Sequence, residues 1–195
     1  MYKIYLENLH TNWLAQEVMH YETIDSTQKE IWRKIQNKNI NNGTLIIADI
    51  QTNGIGTHGR KWYANEKGNI NFSFVIYPNI SINKLENLTL EIAQIILIVF
   101  ENLYKIKLDI KAPNDIMINN KKIGGILTET KLLGEKVECL VIGIGINTNK
   151  KILQKEIQNT STSIQKEFNI EINNYSIISE FCNIFEKRFI ERFTR

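Results

Sequence analysis

Residues 51–62 read QTNGIGTHGRKW, and this stretch decides which fold the rest of the chain can form. Its three glycines have the spacing G-x-G-x-x-G, which marks a dinucleotide-binding loop when a strand precedes it and a helix follows at once. A strand does precede it, because 44–50 read TLIIADI. No helix follows, because RKWYANEKGN at 60–69 ends in a turn and leads into a second apolar strand. The loop therefore joins two strands, which argues against a dinucleotide-binding fold.

The segments on either side of this loop predict an α+β domain. Strand patterns occupy 17–24, 44–50, 69–77, 106–111, 115–119, 122–129 and 136–145, and helical patterns occupy 25–38, 83–104 and 176–193. Asp25 and Gln28 have the spacing of a capping box, so Asp25 is the predicted N-cap of the first helix. Strands and helices do not alternate along the chain, which favours a mixed, largely antiparallel sheet with helices packed on one face. We expect a single domain over residues 1–195.

The composition is typical of a globular protein. Hydrophobic residues make up 43% and charged residues 23% of the chain, and its net charge of +3 is too small to indicate a nucleic-acid partner. The most apolar run, at 92–100, is shorter than the ~20 residues of a membrane span and predicts a buried helix. Cys139 and Cys182 lie far apart in sequence and predict two buried thiols, not a disulfide or a zinc site. The start of the chain has no signal-peptide pattern, so a cytoplasmic location is expected.

The glycine loop has two interpretations when taken alone. Gly54, Gly56 and Gly59 permit close approach of the backbone, and successive N–H groups could form an anion-binding concavity beside Arg60 and Lys61. The alternative is a flexible surface hairpin that binds nothing. The loop residues by themselves do not decide between these interpretations.

A second cluster of polar residues and glycines lies at 111–127, which read KAPNDIMINNKKIGGIL. The two adjacent asparagines in this segment predict a tight hairpin. Strand alternation across the hairpin lets Asp115 and Lys122 approach each other, and the adjacent glycines leave room for a flat ligand. A polar hairpin with a surface ion pair would account for any one of these residues. It accounts poorly for the whole cluster together with a third glycine segment, VIGIGIN at 141–147.

Taken together, these segments resemble the catalytic domain of the biotin protein ligases. The matching segments are DSTQ at 25–28 (D-S-T-N in the family), QTNGIGTHGRKW at 51–62 (Q-x-x-G-R-G-R-x-G-R-x-W), KAPND and KIGGIL within 111–127 (K-W-P-N-D and K-L-G-G-I-L), and GIGIN at 143–147 (G-x-G-I-N), with STSI at 161–164 as a weaker fifth. Each segment alone is unspecific. Their order and spacing over about 20–165 carry the resemblance.

The resemblance implies the biotin ligase catalytic fold, which is similar to that of class II aminoacyl-tRNA synthetases. It implies a ligase that uses ATP and Mg²⁺ to convert biotin to biotinyl-5′-AMP and then transfers biotin to one lysine of the biotin carboxyl carrier protein of acetyl-CoA carboxylase. It implies no nucleic-acid or membrane partner, and it leaves a homodimer open because family members occur as monomers and dimers. The chain is expected to lack the N-terminal winged-helix domain and the small SH3-like C-terminal domain found in other members.

Roles for individual residues also follow from the resemblance, position by position. The biotin-binding residues would be Ser26, Thr27, Gln28, Gln51, Gly54, Ile55, Gly56, Thr57, Lys122, Gly124, Gly125, Ile126, Leu127 and Gly143. The nucleotide would contact Arg60, Lys61, Asn114, Gly145 and Asn147. Lys122, Lys111 and Asp115 would be catalytic, with Lys122 at the junction of carboxylate and phosphate and Lys111 as a second cation. Asp115 would orient Lys111, Mg²⁺ or the incoming lysine amine, and no other metal site is predicted.

Three positions depart from the family pattern. Ile55 and Thr57 stand where the family has arginines, and Ala112 stands where it has tryptophan. Because bidentate contacts between guanidinium and phosphate are strong, their loss predicts looser retention of the adenylate and biotinylation of nearby lysines. His58, Arg60 and Lys61 are the candidates for compensation. Two alternatives therefore stay open: a degenerate binding module without turnover, and a lipoate or octanoate ligase of the same superfamily, to which DST and KAPND fit less well.

Overall fold

A computed structural model describes residues 6–151 and 153–193. The strands are β1 (Val18–Ile24), β2 (Leu45–Ile55), β3 (Lys61–Ala64), β4 (Ile70–Ile76), β5 (Ile80–Ser81), β6 (Asp109–Lys111), β7 (Asp115–Ile118), β8 (Lys121–Leu133) and β9 (Lys136–Ile146). The α-helices are α1 (Thr27–Gln36), α2 (Leu88–Tyr104), α3 (Ile164–Phe168) and α4 (Asn174–Phe193). Each predicted segment contains the expected element, but β2 continues to Ile55 into the predicted glycine loop, β8 continues to Leu133, and β6 and α2 begin later than predicted. The short β3, β5 and α3 are additional.

All of these strands form one sheet. Its order is β1-β2-β4-β9-β8-β7-β6, with β3 paired to β2 and β5 paired to β9. β1 and β2 are parallel, and the other strand pairs in the described residues are antiparallel. The predicted mixed, largely antiparallel sheet is confirmed. As a result, the loop after β2 lies near the first residues of β8 and the last residues of β9, which are paired with each other.

The helices cover both faces of the sheet, and this corrects the prediction that they pack on one face. Phe72 and Phe74 of β4 contact Phe181 of α4, in the larger core cluster, which also contains the buried side of α2. Val75, which points the other way, belongs to a smaller cluster with Ile31 of α1. Every residue of β4 is buried, including Asn71 and Ser73 on the same face as Val75, so both faces of the strand need cover. α1 supplies that second cover.

The most apolar helix is buried, as predicted. The segment Ile82–Tyr104, which includes α2, is long and apolar enough to span a membrane by length and composition alone. However, Ile92, Val99 and Phe100 are fully buried in the core between the sheet and α4. Burial of this kind is expected for the core helix of a globular domain.

The start of α1 differs from the predicted capping box. Ser26 is the N-cap, because its backbone is extended and its Oγ accepts a bond from the Lys29 N–H at 3.5 Å. Asp25 lies one residue outside the helix, accepts a bond from the Ser26 N–H at 2.7 Å and pairs with Arg33. Hydrogen bonds from Arg33 lower the pKa of Asp25 to about 2. Asp25 therefore fixes the junction between β1 and α1 without capping the helix.

The remaining local predictions are confirmed. Asn119 and Asn120 both have positive φ, at 48° and 60°, as the tight hairpin between β7 and β8 requires. Cys139 and Cys182 are buried free thiols. Burial raises the pKa of Cys139 to about 12 and that of Cys182 further above its usual range.

A buried carboxylate on α4 holds the start of the described chain. Glu186 is 4% exposed and accepts hydrogen bonds from the main-chain N–H groups of Asn12, Trp13 and Leu14 at 2.6, 3.0 and 2.8 Å. It also accepts a bond from the Asn12 side-chain amide at 3.2 Å. A buried carboxylate needs hydrogen-bond donors for its oxygen atoms, and the main-chain N–H groups of the turn before β1 supply them.

Candidate active site

A cavity of about 140 Å³ lies between the start of α1, the loop after β2, and strands β8 and β9. Its wall contains most of the predicted site residues: Ser26, Thr27, Gln28, Gln51, Ile55, Gly56, Thr57, Arg60, Lys61, Asn114, Lys122, Gly125, Ile126, Leu127, Gly143 and Gly145. The wall also contains Trp62, Phe72, Ser73 and Ile144, which were not predicted as site residues. The four motif segments therefore converge on one cavity.

One end of the cavity is polar and tightly hydrogen-bonded. Gln51 Oε1 accepts bonds from the Thr27 N–H at 2.8 Å and the Thr27 hydroxyl at 3.2 Å. The same hydroxyl lies 2.8 Å from Ser73 Oγ. Ser26, Thr27, Gln28, Gln51 and Ser73 are all buried, so this end offers donors and acceptors in fixed positions. Such an arrangement recognises a compact polar group by its hydrogen-bonding pattern.

Trp62 forms an apolar wall that the sequence did not single out, although it ends the quoted loop motif. Its indole N–H donates to Asn71 Oδ1 at 2.9 Å, and its ring lies directly over Gly145. A Cβ on Gly145 would lie only 2.6 Å from the indole Nε1. Gly145 therefore leaves space for the Trp62 ring. The sequence pattern of β3, which contains Trp62, does not predict this contact, because Gly145 lies on a different strand, β9.

We expect Gly145→Ala to lower the free energy of unfolding by about 1–3 kcal/mol, because the added methyl group must displace the Trp62 ring. Urea titration gives the change. Gly56→Ala is the matched control, since a Cβ there would meet its nearest atom, Arg60 O, at an ordinary 3.5 Å. Equal stability of the two variants would contradict this account of Gly145.

Lys122 lies in the cavity wall, with its Nζ 6.0 Å from the centre of the Trp62 ring, and is held by an ion pair. Its Nζ is 2.5 Å from Asp115 Oδ1, which confirms the predicted approach of these side chains across the β7–β8 hairpin. A Cβ on Gly125 would lie 3.3 Å from Lys122 Nζ, so the glycine gives the ammonium its place in the wall. Both side chains are partly buried, which strengthens their attraction relative to a surface pair.

The main chain of Lys122 is also fixed, by the weak fifth motif segment. The Lys122 N–H donates to Thr160 O at 3.0 Å, and the Thr162 N–H donates to Lys122 O at 2.9 Å. Ser161 thus forms a parallel bridge beside Lys122. The STSI segment therefore positions the lysine from outside the cavity.

A second, more open cavity of about 350 Å³ adjoins the first. The two share Thr57, Arg60, Asn114 and Ile126 in their walls. Lys111 and Asp115 lie in the second cavity and not in the first, together with His58, Thr89, Ala112, Pro113 and Thr128. The Lys122–Asp115 pair therefore connects the two cavities.

Arg60 occupies the boundary between the cavities and is held by Thr57. Its Nη2 donates to Thr57 Oγ1 at 2.9 Å, and its Nε donates to Thr57 O at 3.2 Å. The loop is compact, since the Gly56 N–H donates to Arg60 O at 2.7 Å. A guanidinium group thus lies beside position 57, where the family motif has an arginine.

Three predicted residues lie outside both cavity walls. A Cβ on Gly54 would lie 2.7 Å from Trp62 O, and one on Gly124 would lie 3.0 Å from Gly145 O, so both glycines permit close strand packing. Asn147 accepts a bond from Asn69 Nδ2 at 3.0 Å and donates to Thr162 O at 3.2 Å. In this structure these residues support the walls, and a direct contact with ligand stays a prediction.

Comparison of the chain with known protein families identifies the family to which it belongs. The biotin/lipoate A/B protein ligase family model matches residues 21–147. The chain belongs to this family. The family segment contains the start of α1, the glycine loop, the β7–β8 hairpin and the end of β9, which together form the cavity.

Individual relatives in the family have known names. The bifunctional ligase/repressor BirA of Bacillus subtilis is 35% identical over 188 residues, covering 95% of this chain and 58% of that protein. A biotin–[acetyl-CoA-carboxylase] ligase of Paracoccus denitrificans is 31% identical over 111 residues, covering 52% of this chain and 43% of that protein. The chain thus spans little more than half the length of the curated relatives it matches.

A solved structure in the family has the same fold. The biotin protein ligase from Aquifex aeolicus, in complex with biotin and ATP, superposes with a TM-score of 0.73 at 27% identity. The match covers 92% of this chain and 71% of that chain. The predicted α+β fold and the resemblance to biotin protein ligases are confirmed.

Proposed function

We propose that this chain is a biotin protein ligase, which converts biotin and ATP to biotinyl-5′-AMP and transfers biotin to a lysine of a biotin carboxyl carrier protein. The observation that carries the proposal is the Lys122–Asp115 pair, which connects the first cavity, with its polar end, to the second cavity, which contains Lys111. Two substrates that must react with each other need two adjoining sites with a positive charge between them. The names of the relatives and the Aquifex aeolicus complex support the choice of substrates.

The first cavity suits biotin in both its polar and its apolar parts. The ureido ring would lie at the end formed by Ser26, Thr27 and Gln51, where donors and acceptors are fixed. The remaining part of the biotin would pack on Trp62 and on Ile126 and Leu127 of β8, leaving its carboxylate near Lys122. The second cavity would take the nucleotide, with Arg60 and Asn114 contacting both ligands.

In the first step, a carboxylate oxygen of biotin attacks the α-phosphorus of ATP, and pyrophosphate leaves as the bond to the bridging oxygen breaks. Both reacting groups are anions, so catalysis depends on positioning and on positive charge at the junction. Lys122 would stabilise the negative charge that develops there, and Asp115 holds the lysine in place through its 2.5 Å bond. Lys111 is exposed and lies in the second cavity, where it would attract the phosphates.

Mg²⁺ would arrive with ATP. In the part of the chain that the structure describes, no three His, Cys, Asp or Glu side chains are grouped closely enough to hold a metal ion. Mg²⁺ commonly takes one or two carboxylates and completes its shell with phosphates and water. Asp115 is a carboxylate in the wall of the proposed nucleotide cavity, so this arrangement fits Mg²⁺ bound mainly by the nucleotide. The metal would neutralise phosphate charge.

Biotin fits the first cavity better than lipoate does. The polar end contains a buried acceptor, Gln28 Oε1, to which no protein group in the structure donates a hydrogen bond. The ureido ring of biotin has two N–H donors, whereas the dithiolane ring of lipoate has none. A buried acceptor left unsatisfied costs about 1–3 kcal/mol, so the site favours the ligand with donors.

A single assay separates the candidate functions. The chain is incubated with ATP, Mg²⁺ and either biotin or lipoate, and pyrophosphate release and labelling of a biotin carboxyl carrier domain are measured. Release and labelling with biotin alone are expected. Release with lipoate alone would establish the lipoate ligase, and binding of biotin without release would establish the non-catalytic module. The proposed carrier partner and cytoplasmic location agree with this reaction.

Arg60 is expected to replace, in part, the arginine missing at position 57. We expect Arg60→Ala to shorten the half-life of bound biotinyl-5′-AMP by about 10-fold or more, because a charge-assisted bond to phosphate is lost. Dissociation of the radiolabelled adenylate measures the half-life. Thr57→Arg is expected to lengthen it, and Lys187→Ala, an exposed change on α4, should leave it unaltered. An unchanged half-life in Arg60→Ala would rule out this compensation.

A further inference from the structure

Gln28 is a buried amide whose two ends have different surroundings. Its Nε2 donates to Glu129 Oε2 at 2.8 Å, while its Oε1 lies at the cavity wall beside Gly143. A Cβ on Gly143 would lie 2.5 Å from that oxygen. Gly143 therefore leaves space for the Gln28 amide, and Oε1 is the end of this buried amide that receives no hydrogen bond from the residues the structure describes.

Glu129 determines which way the amide faces. An ionised carboxylate only accepts hydrogen bonds, and the same Oε2 also accepts a bond from the Trp32 indole N–H at 2.7 Å. If the Gln28 amide were reversed, its oxygen would face Glu129 Oε2 at a distance near 2.8 Å, and two acceptors would repel each other. Glu129 thus orients the Gln28 amide so that its N–H groups point away from the cavity and its oxygen points toward the cavity wall.

Glu129 itself is absent from the cavity wall. It lies on β8, partly buried, and contacts two side chains of α1, Gln28 and Trp32. Trp32 holds the carboxylate from the helix side, so its position does not depend on Gln28 alone. Of the two side chains that Glu129 contacts, only Gln28 lines the first cavity, so we expect Glu129 to act on a ligand there through Gln28.

We propose that Glu129 is a positioning residue for substrate recognition, which turns Gln28 so that its Oε1 accepts a hydrogen bond from an N–H group of the biotin ureido ring. This inference rests on the proposed biotin ligase function. It explains why a carboxylate is placed between a helix and a strand behind the cavity. It also makes the cavity wall an acceptor, so that ligands without a donor at this end are bound less well.

The experiment uses the full chain and measures biotin affinity by calorimetry without ATP, and the turnover number by pyrophosphate release with ATP and Mg²⁺. Glu129→Met has a side chain of similar length without an acceptor, and we expect it to weaken biotin binding by about tenfold while the turnover number at saturating biotin changes less than about threefold. Glu129→Gln keeps an acceptor oxygen and is expected to restore most of the affinity.

The decisive comparison is with Gln28→Met. This variant should itself lose about tenfold in biotin affinity, and adding Glu129→Met to it should cause no further loss, because Glu129 acts only through Gln28. Independent losses that multiply in the double variant would overturn the proposal, since they would indicate a general structural role. Failure of Glu129→Gln to recover affinity would overturn it as well.

Two further measurements keep the outcomes distinct. If Glu129→Met does not fold, Gln28→Met still tests the inference, because it must lose affinity for biotin and leave lipoate binding unchanged. An unchanged biotin affinity in Gln28→Met overturns the inference while the wild-type chain remains a ligase. If the wild-type chain neither binds nor activates biotin, the proposed function has failed, and the inference fails with it.

Discussion

Replacing Lys122 by methionine is expected to lower the rate of biotinyl-5′-AMP formation by about 10²- to 10³-fold, which is the loss typical of removing one preorganised charge stabiliser. Lys122 is partly buried and its ammonium lies where the proposed biotin and nucleotide cavities meet. Nearby Lys111 is exposed and lies in the second cavity only, so it does not replace the missing charge. Single-turnover pyrophosphate release measures the step directly.

The same substitution leaves Asp115 without its ion-pair partner, so a loss of activity must be separated from a loss of folding. The double variant Lys122→Met with Asp115→Asn removes the unpaired charge and should recover stability without recovering rate. Lys121→Met changes the neighbouring residue, which lies outside both cavity walls, and should retain the wild-type rate. A rate within about threefold of wild type in Lys122→Met would remove this lysine from the proposed mechanism.

Replacing Glu186 by leucine is expected to lower the free energy of unfolding by about 3–5 kcal/mol. The change removes the acceptor for three main-chain N–H groups of the turn at 12–14 and for the Asn12 amide. Each donor left buried without a partner costs about 1–3 kcal/mol, although part of the turn will become hydrated. Urea unfolding followed by circular dichroism gives the change in free energy.

The matched control is Glu191→Leu, an exposed glutamate on the same helix, for which a change within about 0.5 kcal/mol is expected. Glu186→Gln keeps one carbonyl oxygen and should give an intermediate loss. If Glu186→Leu and Glu191→Leu are equally stable, the turn at 12–14 does not depend on the buried carboxylate. We expect the m-value to stay the same, because the substitution changes one side chain and leaves the surface exposed on unfolding nearly unaltered.

The sequence predicted the elements well because their signals are local. Alternating or continuous apolar residues indicated the main strands, and the two asparagines at 119–120 indicated the hairpin that brings Asp115 to Lys122. The placement of α1 could not be predicted in this way. Which face of a sheet a helix covers depends on strands far away in sequence, such as β9, and not on the apolar side of the helix itself.

A residue of the candidate site could be predicted where it belongs to a motif and also points toward the cavity from its strand. Gly125 lies in the cavity wall while its neighbour Gly124 packs against β9, because successive residues of a strand point to opposite faces. The motif alone gives both residues equal weight. Glu129 was missed for a different reason: its role depends on contacts with Gln28 and Trp32 on α1, which the chain forms only once folded.

The contact between Trp62 and Gly145 links two positions on separate strands that are distant in sequence. A larger residue at 145 avoids a loss of stability only if the side chain at 62 becomes smaller, and a smaller side chain at 62 leaves a gap over 145. The two positions are therefore expected to vary together during evolution, so that among related chains a substitution at one accompanies a compensating substitution at the other. Such covariation would identify related chains that keep this cavity wall even where their loop motif has diverged.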